Sequence, residues 1–168
     1  IAPMLPGGLR LFSCLYVPLK GSRNRIALTP KIHDKLDNWR FLLRSLATRP
    51  THIQEIIPAF PTWTGAHDAS GQGMGGVFSG PDGTPYVWRH RWSAANAARL
   101  VSSRNPGGDL TINDFELAGH VAQLWMGLPM TTPLESFLNG CDNSTTIWWV
   151  RKGSTNTSAT AGALLRLR

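Results

Sequence analysis

Three isolated acidic residues, each at the boundary of a different predicted element, constrain the fold of this chain more than any other feature. Asp68 follows one extended stretch, Glu116 lies one turn into a predicted helix, and Asp142 follows a second extended stretch. The chain has only ten Asp and Glu residues among 168, so this placement is not that of ordinary surface carboxylates. Three convergent carboxylates are typical of sites that hold divalent cations through oxygen ligands for phosphoryl chemistry. We therefore expect these three residues to meet at one metal site.

The middle of the chain has the pattern of an antiparallel meander. Residues 62–69 are predicted as a first strand, and a glycine-rich turn over residues 71–76 leads into a second strand at Val77-Phe78. Residues 80–84, Gly-Pro-Asp-Gly-Thr, form a strong turn signal. In residues 86–92 aromatic side chains alternate with others at a period of two, which predicts a half-buried third strand.

A first helix is predicted before this meander. Thr29 can cap the helix, Pro30 fits its first position, and Pro50 ends it. The lysines and arginines of this segment lie off its apolar face, so the helix is predicted to be amphipathic. That face consists of residues three to four apart, namely Ile32, Leu36, Trp39, Leu43 and Leu46.

A second helix, predicted over residues 114–126, carries the central carboxylate. Asn113 is its predicted N-cap, which places Glu116 at the third helical position as in a capping box. Pro129 and Pro133 close the helix. Glu116 therefore has two interpretations, a metal ligand or a capping partner. The predicted core stripe of the helix consists of Phe115, Ala118, Val121, Ala122 and Trp125.

The last part of the chain is predicted as a buried strand followed by a helix. Residues 134–141 are short and apolar enough for the strand, which ends beside the third carboxylate. Asn143 or Ser144 can cap a helix that runs toward Gly153. Residues 145–150 have the composition of a strand, so a strand is the alternative there.

Charge is distributed unevenly along the chain. The net charge of +7 and the sequence pI of about 10.3 favour a polyanionic partner. Residues 1–60 carry nine Lys and Arg against three Asp and Glu, whereas residues 61–168 carry eight against seven. The basic surplus thus lies upstream of the carboxylates, where a solvated basic helix is the alternative interpretation. A hydrophobic content of 42% argues against a disordered chain.

Cysteine content and the termini narrow the class of protein. The two cysteines, Cys14 and Cys141, do not make a disulfide framework or a zinc site. The sequence contains no run of 18 apolar residues and no signal-peptide layout, so we expect an intracellular protein of the cytoplasm or nucleus, not secreted and without a membrane partner. The chain begins at Ile1 rather than Met and ends at Arg168 in a sequence typical of a helix interior. We therefore expect a fragment of a longer polypeptide.

The three carboxylates come in the order Asp, Glu, Asp, spaced 48 and 26 residues apart, each within a distinctive segment. The segments are His67-Asp-Ala-Ser-Gly71 with Gly75-Gly-Val-Phe78, then Asn113-Asp-Phe-Glu-Leu-Ala118, then Cys141-Asp-Asn-Ser144. In this order they resemble the first strand and hairpin, the Glu-bearing helix and the next Asp-bearing strand end of a retroelement ribonuclease H. Transposases of the Asp-Asp-Glu type put the Glu last, and proofreading-type exonucleases begin with an Asp-x-Glu pair. The order therefore favours ribonuclease H.

Residues 1–60 are similar to the tail of a reverse transcriptase, in which a motif like Leu28-Thr-Pro30 precedes an amphipathic helix. The resemblance implies the end of a reverse transcriptase or connection segment at residues 1–60 and a ribonuclease H-like domain at residues 61–168. It implies an α/β fold with a mixed sheet and flanking helices, in which the strand at 134–141 lies parallel to the first strand of the meander. The implied partners are an RNA/DNA hybrid and the reverse transcriptase domain of the same polypeptide.

The activity that the resemblance implies is hydrolysis of the RNA strand of an RNA/DNA hybrid by two-metal catalysis. Asp68, Glu116 and Asp142 would be both the catalytic residues and the metal ligands, with two Mg²⁺ ions and Mn²⁺ as an alternative. The hybrid would be recognised by its shape and its 2′-hydroxyls.

One departure from the family leaves alternatives open. The family has a fourth carboxylate on a late helix, whereas no Asp or Glu follows Asp142 in this sequence. We expect the domain to be truncated at its C-terminus, and the chain by itself to cleave weakly or not at all. The alternatives are a degenerate, non-catalytic ribonuclease H-like module that binds or tethers nucleic acid, and an inactive fragment.

Other chemically interesting side chains are interpreted as structural. His120, one turn after Glu116, could face the metal site, and the tryptophan pair could stack on nucleic acid. Packing accounts for each of them more simply. The residues so interpreted are the core or surface histidines His67 and His120, the helix residue Asp114, the small buried Cys141, and the core pair Trp148 and Trp149.

Overall fold

A computed structural model of the chain divides into two compact units, residues 1–57 and 58–168. The residues that the structure describes are 27–48, 60–132, 135–155 and 157–165. The division falls close to the predicted boundary at residue 60. The assignment of the two parts to a reverse transcriptase tail and a ribonuclease H-like domain stays a prediction. Within the described ranges, no helix is long and apolar enough to cross a membrane.

In the first unit the structure describes one helix, α1 (Pro30–Thr48). Its predicted start is confirmed, because the carbonyl of Thr29 accepts hydrogen bonds from the amides of Ile32 (2.9 Å) and His33 (3.0 Å). Proline suits the first helical position, where its missing N–H has no partner to lose. The predicted stop at Pro50 lies outside the described residues.

The apolar face of α1 is narrower than its sequence predicts. Ile32 and Trp39 are buried at 6% and 7% exposure, and Leu36 is half-buried. Leu43 is 47% exposed, so the prediction is wrong there, and the side chain of Leu46 lies outside the described residues. Ile32 and Trp39 are seven residues apart, nearly two full turns, and so lie on the same side of the helix.

The second unit is a four-stranded sheet with helices. The sheet has the order β3-β2-β1-β4, with β2 antiparallel to both β1 and β3, and β4 parallel to β1. The predicted meander, the parallel fourth strand and the α/β class are confirmed. The predicted turn over residues 71–76 is wrong in its second half, because β2 begins at Gly73, and Gly75 and Gly76 pair with β1. The elements in chain order are β1 (Trp63–Ala69), β2 (Gly73–Ser79), β3 (Pro85–Arg91), α2 (Ala94–Ala97), α3 (Ile112–Gly127), a 3-10 turn (Leu128–Met130), β4 (Phe137–Gly140), α4 (Ser144–Lys152) and α5 (Ala159–Leu164).

Helix α3 begins before the predicted cap. Its N-cap is Thr111, whose hydroxyl accepts from the amide of Asp114 (3.4 Å) while the Asp114 carboxylate accepts from the Thr111 amide (2.8 Å). This reciprocal pair is a capping box. The predictions of Asn113 as N-cap and of Glu116 as capping partner are therefore wrong. Asn113 instead accepts a hydrogen bond from the side chain of Asn143 (2.8 Å).

The face of α3 that packs on the sheet is partly polar. Phe115 and Val121 are buried as predicted, but Trp125 is 57% exposed, so the predicted stripe is wrong at its C-terminal end. Leu117 and Gln123, which the stripe did not include, are fully buried. The helix is rotated toward positions occupied by polar residues, and an apolar periodicity cannot indicate such a rotation.

Gln123 connects α3 to the sheet. Its amide nitrogen donates to the backbone carbonyls of Val77 (3.0 Å) and Ala66 (3.4 Å), and its amide oxygen accepts from the indole N–H of Trp88. These contacts reach β1, β2 and β3 from a single side chain. A buried glutamine with all its hydrogen bonds made is stabilising, whereas its loss leaves buried partners unsatisfied.

We expect Gln123→Leu to lower the free energy of unfolding by about 1–3 kcal/mol, the usual cost of leaving a buried donor unpaired. Leucine keeps most of the volume but accepts nothing from the indole of Trp88. Urea unfolding followed by circular dichroism measures the change. Gln72→Leu, at an exposed position, is the matched control, and equal stability of the two variants would contradict the prediction.

Helix α4 follows the sequence prediction at both ends. Asn143 is its N-cap, accepting from the amide of Thr146 (2.9 Å), and Gly153 ends it in a left-handed conformation with φ of 61°. The alternative of a strand over residues 145–150 is wrong, because the helix caps at Asn143 and Gly153 outweigh the strand-like composition of these residues. The predicted core packing of Trp148 is also wrong, because this side chain is 64% exposed. The ammonium of Lys152 lies over its ring, 5.6 Å from the ring centroid. The neighbouring tryptophan is half-buried.

Candidate metal centre

Parallel pairing of β1 with β4 brings the two aspartates to one edge of the sheet. The register runs from Trp63 opposite Phe137 to Ala66 opposite Gly140. Continued by two residues, the same register sets Asp68 opposite Asp142. Both side chains are exposed to solvent. Neighbouring positions on paired strands point the same way, so the two carboxylates can act on one ligand.

Glu116 joins them from helix α3. Its Oε1 accepts a hydrogen bond from the amide of Ala69 (3.2 Å), and the same amide donates to Oδ1 of Asp68 (2.8 Å). One backbone N–H therefore orients two of the carboxylates. With Asp142, the three residues each offer one carboxylate oxygen within 4.8 Å of the other two. The three predicted site residues thus come together.

The electrostatics of the cluster are dominated by the burial of Glu116. Its side chain is 4% exposed, and burial raises its pKa from the ordinary 4.5 to about 7. The hydrogen bond from Ala69 acts in the opposite direction, while the negative charge of Asp68 adds to the increase. A bound cation would favour the ionised form. A buried carboxyl next to two other carboxylates is a common feature of functional sites.

The donor set fits a hard divalent cation. Three carboxylate oxygens with an open, solvent-exposed side suit Mg²⁺, which binds to few protein carboxylates and keeps several waters or phosphate oxygens. The Oε2 atom of Glu116 is buried and has no hydrogen-bond partner among the described residues. Such an orphan oxygen costs free energy unless a cation or water satisfies it. Asp68, Glu116 and Asp142 are the residues that would hold the ion.

An open groove of about 660 Å³ lies next to the cluster. Asp68 is among the residues that line the groove. The others include Ser70 and Gln72, which follow Asp68 in the chain, and Arg89 and Arg91 of β3. Guanidinium groups beside a carboxylate cluster provide contacts for phosphate oxygens. The groove was not predicted as a unit. The signal for it was the alternation in β3, which sets both arginines on one face of the strand.

A polar core lies behind the carboxylates, on the helix-facing side of the sheet. His67 and His120 are 5% and 8% exposed, so of the two predicted locations, core or surface, the core is correct. The Nδ2 atom of Asn139 lies 3.0 Å from Nδ1 of both rings. Burial lowers the pKa of His67 below its ordinary value of 6.5, against the opposing effect of the Asn139 side chain. The sequence analysis did not single out Asn139. Its only signal was its position two residues before Cys141, because residues two apart along an extended strand point to the same side of the sheet.

Asp114 has a structural role away from the cluster, as predicted. It is 2% exposed, completes the cap of α3 at Thr111, and accepts a hydrogen bond from the hydroxyl of Ser158, the N-cap of α5. It therefore links two helix starts. Cys141 is half-buried rather than fully buried, and burial raises the pKa of its thiol.

Comparison of the chain with protein-family models, with curated proteins and with solved structures gives no match. The geometry of the carboxylates and the motif resemblance therefore carry the functional argument by themselves.

Proposed function

We propose that this chain contributes a ribonuclease H-type site that hydrolyses the RNA strand of an RNA/DNA hybrid, as part of a retroelement reverse transcriptase. The observation that carries the proposal is the convergence of Asp68, Glu116 and Asp142 to within 4.8 Å. These residues come from two paired strands and one helix, which are 48 and 26 residues apart in the chain.

The fold is compatible with this proposal. The mixed sheet, with a meander followed by a parallel strand, is the arrangement that the resemblance to ribonuclease H implies. The Glu-bearing helix α3 packs on β1 and β2, which is how its carboxylate reaches the end of β1. The identification of residues 1–60 as a reverse transcriptase tail is part of the same proposal and rests on the motif Leu28-Thr-Pro30 and the basic charge of that segment.

Each residue of the cluster has a distinct part in the proposed chemistry. Asp68 and Asp142 face solvent and would hold the exposed side of the metal site, while Glu116 is fixed from behind by the Ala69 amide. When bound, two divalent cations would activate a water and stabilise the leaving oxygen. The guanidinium groups of Arg89 and Arg91 would bind phosphates of the substrate backbone in the adjacent groove.

A cleavage assay with a labelled RNA/DNA hybrid tests the proposal, in Mg²⁺ and separately in Mn²⁺. We expect slow cleavage of the RNA strand, because no Asp or Glu follows Asp142 to serve as a fourth carboxylate. Asp68→Asn should reduce cleavage to the background without protein, since it removes one of three charges that hold the cations. Hybrid binding, measured by fluorescence anisotropy, should change little and should weaken as salt rises.

Asp82→Asn is the matched control for this assay. The Asp82 carboxylate is exposed and accepts hydrogen bonds only from Thr84 of its own turn among the contacts described, at 3.0 and 2.8 Å. The substitution removes the same charge and should leave cleavage unchanged. Equal cleavage by Asp68→Asn and the unmodified chain would contradict the proposed site.

The second candidate function is a non-catalytic module that binds RNA/DNA hybrid beside the polymerase. The observation that favours it is the net charge of +7, which suits binding of a polyanion without any catalysis. A chain that binds hybrid with strong salt dependence but neither cleaves it nor binds Mg²⁺ or Mn²⁺ through Asp68 would establish this alternative.

A further inference from the structure

A second cluster of ligand atoms lies directly behind the carboxylates. One ring nitrogen of His67, one carboxylate oxygen of Glu116 and the thiol of Cys141 lie within 4.8 Å of one another. His67 is on β1, Glu116 is on α3, and Cys141 directly follows β4. The cluster shares Glu116 with the three-carboxylate cluster, but its other two members are a nitrogen and a sulfur donor.

Two polar atoms of this second cluster are buried without a partner. His67 is 5% exposed and Glu116 is 4% exposed. Nε2 of His67 and Oε2 of Glu116 make no hydrogen bond of normal geometry to any described residue. The backbone of Glu116 interacts with the His67 ring, and the Asp68 side chain interacts with the Glu116 carboxyl group, but neither contact has the geometry of a full hydrogen bond at these two atoms. Buried polar atoms in folded proteins are nearly always satisfied by a protein group, a water or an ion. A cation between these two atoms would satisfy both of them. Oε2 of Glu116 can also be satisfied by a cation in the three-carboxylate cluster, so the unpartnered His67 nitrogen is the observation specific to this second cluster.

Asn139 is placed to orient the imidazole of His67 so that Nε2 can bind a ligand. Its amide lies 3.0 Å from Nδ1 of the ring through Nδ2, while its Oδ1 is buried without a partner. A half-turn of the Asn139 amide would place its oxygen against Nδ1 instead of its nitrogen. Nδ1 would then carry the proton and donate a hydrogen bond to Asn139, which leaves the lone pair of Nε2 for a metal ion. An outer hydrogen bond from the second nitrogen is the usual arrangement for a metal-binding histidine.

We propose that His67, Glu116 and Cys141 form a binding site for Zn²⁺. A histidine nitrogen, a carboxylate oxygen and a cysteine sulfur are the three ligand types of protein zinc sites, with water as a fourth ligand in open sites. Mg²⁺ prefers oxygen ligands alone, so the two clusters select different cations. On binding, the thiol proton of Cys141 is released to solvent. The cysteines alone predicted no zinc site, because the other two ligands come from distant segments.

The shared residue makes the two sites antagonistic. Glu116 cannot direct its carboxylate to Zn²⁺ behind it and keep its full contribution to the cations in front of it. Zn²⁺ at the second cluster would therefore inhibit cleavage, a consequence that rests on the proposed nuclease function. The binding itself does not rest on that function and can be measured directly.

The test is titration of the full, reduced chain with Zn²⁺ by calorimetry and with Co²⁺ by absorption spectroscopy. We expect one Zn²⁺ per chain, and a near-ultraviolet band from thiolate-to-cobalt charge transfer. Cys141→Ser should abolish the band and weaken Zn²⁺ binding by at least about 100-fold, the upper range for loss of even an outer-shell partner. Asn139→Ala, which removes only the outer hydrogen bond, should weaken it by about 10–100-fold.

Two control variants separate this site from the second thiol and from the three-carboxylate cluster. Cys14→Ser removes the other thiol of the chain and should leave both the band and the Zn²⁺ affinity unchanged. Asp142→Asn removes a ligand of the carboxylate cluster and a negative charge next to Cys141, so it should weaken Zn²⁺ binding far less than Cys141→Ser does. Absence of Zn²⁺ binding by the unmodified chain, or unchanged Zn²⁺ affinity in Cys141→Ser, would overturn the proposal. Failure of hybrid cleavage would leave the zinc result intact, so the two proposals fail independently.

Discussion

Glu116→Gln is expected to stabilise the folded protein by about 1–3 kcal/mol at pH 8 in the absence of metal, while removing hybrid cleavage. The stability gain follows from the pKa of Glu116, which burial raises from 4.5 to about 7. Each unit of difference between the folded and unfolded states corresponds to about 1.4 kcal/mol. Glutamine is nearly isosteric and its oxygen can still accept from the Ala69 amide, but it never has to ionise.

The pH dependence of this effect has a definite sign. A carboxyl whose pKa is higher in the folded state favours folding while it is protonated, so its stabilising contribution is complete below about pH 4.5. That contribution is lost as the pH rises from 4.5 through about 7. Unfolding free energies of the two proteins should therefore agree near pH 4 and diverge up to pH 8, with the variant more stable.

Urea unfolding at a series of pH values, with and without Mg²⁺, measures this difference. Mg²⁺ should stabilise the unmodified chain at pH 8 and not the variant, because the cation binds to the ionised folded state. Glu135→Gln, at a carboxylate whose pKa is lowered rather than raised by the Thr132 amide, should not show a gain that grows with pH. If Glu116→Gln is no more stable than the unmodified chain at pH 8, the inference that burial disfavours the ionised form of Glu116 is contradicted.

Glu116→Gln should reduce the slow cleavage of the hybrid to the background without protein, since the transition-state stabilisation from a bound metal is worth several kcal/mol and about 1.4 kcal/mol corresponds to tenfold in rate. A substitution that stabilises the fold and removes activity is the signature of a residue retained for function. It also separates the proposed enzyme from a structural role of Glu116, in which the same substitution would destabilise the protein.

Gly65→Ala is expected to destabilise the second unit by about 3 kcal/mol or more, at or beyond the usual range for overpacking a core. A Cβ atom at this position would lie 2.7 Å from the backbone oxygen of Val77, 2.7 Å from Cβ of Phe78 and 2.6 Å from Nε2 of Gln123. Two of these three atoms are fixed by the β2 backbone and cannot move aside. The methyl group would therefore force β1 away from β2 or α3.

Gly107→Ala is the matched control, because a Cβ atom there would have no neighbour within 4 Å. Chemical unfolding monitored by tryptophan fluorescence reports on the core, where Trp63 is 7% exposed. The displacement of α3 should also weaken Mg²⁺ binding in Gly65→Ala, since Glu116 reaches the site from this helix. Equal unfolding midpoints for the two alanine variants would contradict the close approach at Gly65.

The elements whose signals are local were predictable from the sequence. Proline at the start of α1, the turn at residues 80–84, the alternation in β3 and the Asn143 cap of α4 each act within a few residues. Their physical cause is the backbone preference or side-chain hydrogen bond of the residue itself. Which three of the acidic residues would come together was also predictable, because the segments that contain them have a distinctive order and spacing.

Tertiary structure decided what local signals leave open. The rotation of α3, with Gln123 inside and Trp125 exposed, depends on the hydrogen bonds offered by the sheet, which no periodicity encodes. The convergence of Asp68 with Asp142 depends on the parallel register of two strands far apart in sequence. The same pairing sets His67 near Cys141 behind them. A chain's sequence determines which groups can bind a cation, whereas long-range strand pairing and helix packing decide which of those groups meet, because distance in space is not a local property of the chain.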